Sequence, residues 1–148
     1  MVPAEAARVL QDALARMSWS LEPDVFALVG FSEPPSPEDL ACLARPPAQV
    51  VREIGETTIL LRQADAEPVI ARHPAARVEH DLAWIRFTTP MSWDVVGFLA
   101  RVSGELAAAN VPIGAVCGFS RDHVFVARKH LAVAREVLER LFPSSRGA

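Results

Sequence analysis

The run Gly118, Phe119, Ser120, Arg121, Asp122 and His123 gathers a hydroxyl, a guanidinium, a carboxylate and an imidazole within six positions. It approximates a hydrolase nucleophile elbow, but the second glycine is missing, and a strand pattern follows where that motif requires a helix. Ser120, Asp122 and His123 are near neighbours in a tight turn, so their side chains diverge and do not form a triad. The run reads as a polar hairpin turn. The histidines His73, His80, His123 and His130 show neither i, i+4 spacing nor cysteine partners that would mark a metal site. Cys42 and Cys117 form no metal or redox spacing and read as small buried hydrophobes. No nucleophile, base and orienting group line up. The expectation is a protein that is not an enzyme and carries no cofactor and no metal.

Residues 89–98 are a better candidate for binding. Val95, Phe98, Leu99, Val102 and Leu106 recur at helical spacing, which predicts a helix over 92–110 with Ser92 as N-cap and Asp94 in its first turn. A helix N-terminus leaves backbone N–H groups unpaired, and with the dipole these favour a carboxylate. The candidate ligand-binding residues here are Ser92, Trp93, Asp94, Val95, Val96 and Gly97. Asp94 suits the helix dipole. Gly97 leaves room either for a ligand or for close packing against a sheet, and both readings stand open.

The elements around this stretch follow from period and punctuation. Residues 83–89 alternate as a strand closed by Pro90, and Pro112 bars continuation of the helix. Residues 113–119 and 123–127 read as strands joined by the polar turn, and 129–141 as a second amphipathic helix ending before Pro143. In the first half, 3–17 reads as an amphipathic helix and 24–31 as a strand. Five prolines bracket a short helix over 36–44 with Ser36 as N-cap and Pro37 first. A hairpin over 49–54 and 57–62 turns about Gly55 and Glu56, and a short helix is expected within 64–76. Each half therefore reads strand, helix, strand, strand, helix. The boundary is placed at 73–80, giving an N-terminal repeat over 1–76 with a leading helix and a C-terminal repeat over 77–148.

The hydrophobic fraction, 51%, is ample for a core, and a net charge of -3 gives no electrostatic footprint for nucleic acid. No apolar run reaches membrane-spanning length and no signal peptide pattern opens the chain, so a cytoplasmic protein without a membrane partner is expected.

The second half resembles the ACT domain family, and in particular its small tandem ACT-like proteins. The matching residues are Trp84, Ile85, Arg86, Val96, Gly97, Leu106, Ala109, Ile113, Phe119, Asp122, His123, Phe125 and Val126. Arg121 departs from the family, whose turn commonly carries threonine. The hairpin words Val51, Arg52, Glu53 and 56–60 faintly resemble the same part of a first repeat. The resemblance implies an α+β fold of ferredoxin-like tandem repeats, with antiparallel sheets and helices packed on one face. It also implies an amino-acid ligand near the 89–98 loop and the start of the next strand, which adds Asn110, Val111, Pro112, Ile113 and Gly114 to the candidate residues. Exposed sheet edges and the family's habit of pairing sheets point to a homodimer. The function expected is a regulatory or sensor module binding a small molecule at an interface between repeats. The rival is a structural or protein-interaction module without a ligand.

Overall fold

In the computed structural model, which describes residues 3–143, the leading amphipathic stretch forms helix α1 (Pro3–Arg16). Its stripe Ala6, Val9, Leu10, Ala13 and Leu14 is half-buried, and Met17 just beyond it is fully buried. The elements that follow are β1 (Trp19–Leu21), β2 (Phe26–Phe31), α2 (Pro37–Leu40), β3 (Gln49–Glu53), β4 (Glu56–Arg62), α3 (Glu67–Arg72), β5 (Arg77–Phe87), α4 (Phe98–Ala108), β6 (Gly114–Cys117), β7 (Asp122–Ala127) and α5 (Leu131–Leu141). The chain divides into two units, one comprising Pro23–Ala83 and the other residues before and after it.

The inner unit is a four-stranded antiparallel sheet in the order β3, β4, β2, β5. Val29 pairs with Ile59 of β4 and with Val78 of β5, and Val51 of β3 pairs with Thr58. Alternation brings Ala27, Val29, Phe31, Ile59 and Leu61 to one buried face, where Ala66 and Val69 from the α3 region cover them. The register slips opposite Ala27, where His80 and Asp81 form a bulge. Asp81 takes a φ of 57°, and Gln63 accepts its backbone N–H at 2.7 Å.

The other unit is also a four-stranded sheet, in the order β1, β5, β7, β6. Its first strand is the end of β5 and its fourth is β1, supplied from the N-terminal side of the chain. Trp19, Ser20 and Leu21 pair antiparallel with Phe87, Arg86 and Ile85. In both units the spatial order is second, third, first and fourth strand, the ferredoxin-like arrangement. The core gathers on Phe87, Phe98 and Phe142, with ring centroids 5.1 to 6.1 Å apart. Each of these aromatic contacts adds about 0.5–1.5 kcal/mol beyond burial of area.

Three expectations change. The 73–80 stretch, where the sequence places the boundary between repeats, is from Arg77 onward strand β5, polar because one face of that part is exposed. Helix α4 begins at Phe98, so Ser92 caps nothing and Asp94 lies outside the first turn. The N-cap is Gly97, at a left-handed φ of 90° that interrupts any helix entering from residue 92. The leading helix and β1 group with the C-terminal unit, whereas the sequence boundary assigns residues 1–76 to one repeat.

Ser36 caps α2 as expected. Its hydroxyl accepts the Asp39 N–H at 3.2 Å while the Asp39 carboxylate accepts the Ser36 N–H at 2.8 Å. Asp39 is fully buried and also accepts from Arg72 Nε at 2.7 Å and His73 Nε2 at 2.9 Å. Burial pushes this carboxyl up, but the hydrogen bonds from His73, Ser36 and Arg72 together outweigh it and hold the group well below the usual carboxylate range. The unfolded chain, titrating near ~3.9, then binds the proton more readily than the folded one. The stabilisation is full above that value and is lost as pH falls through and below it. Asp39→Asn should cost about 2–3 kcal/mol at pH 7, and its stability should fall less steeply than the parent's on acidification below about pH 4. Urea melts across pH would show otherwise if the two chains lost stability in parallel.

Candidate functional site

Thr88 and Thr89, where β5 ends, are held by the N-terminal segment. The Thr88 N–H donates to the Ser18 carbonyl at 2.8 Å, the Ser18 N–H donates to Thr89 Oγ1 at 3.1 Å, and Thr89 Oγ1 donates to the Arg16 carbonyl at 3.1 Å. The same strand end reaches the β6 to β7 turn. Arg121 Nε donates to the Thr88 carbonyl at 2.9 Å and the Met91 N–H donates to the Ser120 carbonyl at 2.9 Å. Two irregular segments are thereby fixed side by side.

A cleft of about 320 Å³ opens between them. One wall is the 91–97 loop, the floor is the first turn of α4 from Phe98 to Ala100, and the other wall is the turn 117–122. All of these residues belong to the C-terminal unit. The α4 N-terminus has no side-chain cap, so its first N–H groups lack the partner that a capping side chain would give. Trp93 is 78% exposed and Phe119 85% exposed, and both line the cleft; Val96, 61% exposed, lies in the same loop. A second hollow of about 400 Å³ lies on the other side of the loop against α1, with Arg16 and Asp94 among its lining residues.

The structure therefore brings Ser92, Trp93, Val95 and Gly97 to the first cleft and places Asp94 at the second hollow, with Ser92 and Val95 bordering both. Val96 lines neither. The conformation of Gly97 is explained by its positive φ, and a Cβ there would sit 3.4 Å from Leu10 Cδ2 of α1 rather than against the sheet. The turn 117–122, read from sequence only as a polar hairpin, is the opposite wall. The missed signal is the phenylalanine at position 119, a large apolar residue at a turn apex where burial is unavailable.

His123, at the base of that turn, accepts the Trp84 Nε1–H on Nδ1 at 3.0 Å. That bond requires the tautomer with its proton on Nε2. Burial first, and then the Arg86 guanidinium, push His123 below the ordinary histidine range. Cys117, expected to be a small buried residue, is exposed, and its thiol is pushed up by partial desolvation and by the Asp122 carboxylate beside it. Among the described residues no three His, Cys, Asp or Glu side chains group so as to hold a metal ion.

Comparison with known proteins follows the fold. Residues 77–140 match the family model of the ACT domain, and the resemblance read from 84–126 is borne out over that span. No curated protein matches the chain. Among solved structures, a protein from Agrobacterium tumefaciens has a TM-score of 0.70 at 17% identity, covering 85% of this chain and 89% of that one. A Vibrio cholerae protein of unknown function, described as a possible transport protein, has a TM-score of 0.67 at 20% identity, covering 92% and 98%. The regulatory subunit of aspartate kinase from Thermus thermophilus, in a ligand-free form, has a TM-score of 0.58 at 14% identity, covering 84% and 97%. At these identities the likeness is one of fold, and it agrees with the ferredoxin-like strand order of both units.

Asn110, Val111, Pro112, Ile113 and Gly114 lie at the opposite end of α4 and line neither hollow. Asn110 carries a φ of 58° where the helix stops, and Pro112 prevents its extension. Gly114 faces Phe125 across the hairpin, and a Cβ on it would lie inside the Phe125 ring. Its role is steric. Gly114→Ala should cost about 2 kcal/mol in a denaturant melt, and most of that cost should vanish in a Phe125→Ala background. An unchanged melt in the parent background would contradict the steric reading.

Proposed function

We propose that this chain is a non-enzymatic regulatory or sensor module of the cytoplasm that binds an amino acid in the cleft between the 91–97 loop and the 117–122 turn. The observation that carries the reading is an open cleft of about 320 Å³ whose floor is a helix N-terminus without a side-chain cap. Such a floor suits a carboxylate, and the volume suits one small molecule. The ACT match and the likeness to a regulatory subunit support the same class. No helix among the described residues is long and apolar enough to cross a membrane.

The module pairs as a homodimer in this reading. Each unit ends its sheet on an open strand, β3 in one and β6 in the other, and Val51 and Ile54 are exposed at and beside the first of these. Unpaired edges of this kind need covering.

A melting screen against the common amino acids, run on samples whose mass is measured by light scattering, tests both parts. A ligand at 100 times its Kd adds about 2.7 kcal/mol to stability. The reading expects a dimer mass and a higher Tm with at least one amino acid. A closed or purely structural module gives no shift with any of them, and a monomer mass at micromolar concentration removes the dimer.

A further inference from the structure

Resting on the reading of this cleft as a small-molecule site, we infer that it selects an amino acid with an aromatic side chain, the ring held between Trp93 and Phe119 and the carboxylate held by Arg121. Trp93 and Phe119 come from separate segments, the loop after β5 and the turn after β6, yet both border one cleft. They are 78% and 85% exposed, so each leaves most of a large apolar surface in water. A planar apolar body between them would remove that surface from water on both of its faces, with ring stacking adding to the gain.

Arg121 supplies the charge. Its Nε is spent on the Thr88 carbonyl at 2.9 Å, which fixes the plane of the guanidinium. Its two terminal nitrogens have no hydrogen-bond partner among the described residues, and they form the fork that matches a carboxylate. The uncapped first turn of α4 is the floor of the same cleft and adds donors of the same kind. Asp122 also borders the cleft and balances the ammonium of an amino acid. The other two tryptophans are buried, so Trp93 reports on the site.

The test uses the full chain with L-phenylalanine, 3-phenylpropanoate and L-alanine as probes, following tryptophan emission and Tm together. Both ring-bearing acids should shift the emission to the blue and raise Tm, while alanine should bind at least about tenfold more weakly, the difference a buried ring makes. Trp93→Phe should abolish the emission change and keep the Tm rise. Arg121→Gln should weaken both ring-bearing acids by about tenfold or more, and Phe119→Ala by about fivefold or more. Alanine binding as tightly as phenylalanine, or Arg121→Gln binding like the parent, overturns the inference. So does the absence of any response to both ring-bearing acids at millimolar concentration. If alanine raises Tm while the ring-bearing acids do not, the cleft remains a small-molecule site and this selectivity falls.

Discussion

The antiparallel pairing of Trp19, Ser20 and Leu21 with Phe87, Arg86 and Ile85 is the constraint on which the C-terminal unit depends. Without it that sheet has three strands and an open edge on β5, where Ile85 and Phe87 carry the core. The pairing extends past the strand itself. The Glu22 N–H donates to the Trp84 carbonyl at 2.9 Å, and the Thr88 N–H to the Ser18 carbonyl at 2.8 Å. Met17, fully buried, precedes the strand and anchors it from the α1 side. Three residues of strand are marginal alone, and these flanking bonds and the buried Met17 and Trp19 make the segment hold.

From that pairing the site follows by a short chain of contacts. Ser18 and Arg16 fix Thr89, Thr88 receives Arg121, and Ser120 receives Met91, so the loop and the hairpin turn stand a fixed distance apart. Gly97 then turns the chain into α4 with a conformation that side-chain-bearing residues rarely adopt, and α1 lays Leu10 against it. The cleft is thus bounded by irregular backbone held at both ends by regular structure, which is where binding surfaces concentrate. Arg121, at the position where the family commonly has threonine, does double duty as a strut and as the exposed charge.

Much of this was legible from residues. The strand, helix, strand, strand, helix order of each half follows from apolar period and from prolines, and Ser36 with Pro37 marks a helix start that the structure repeats. Three residues such as Trp19, Ser20 and Leu21 show no period, so β1 left no trace, and its partner could not be known from local pattern. The sequence places a boundary at 73–80 because a bulge at His80 and Asp81, not alternation, carries β5 through its first half. The start of α4 was misplaced because Ser92 and Asp94 make a plausible cap, and only the φ of Gly97 decides against it. Half of the site, the loop, was visible as a helix approach. The other half was hidden because a polar turn is the ordinary meaning of Ser120, Arg121 and Asp122, and because Phe119 reads as the last residue of a strand that in fact ends at Cys117.

Hydrogen exchange on the intact chain tests most directly whether the N-terminal segment is an integral strand of the C-terminal unit. The account predicts that the β1 amides that donate across the ladder exchange as slowly as those of 85–87 and open in the same cooperative event. Free exchange across β1, with 85–87 still protected, would contradict it.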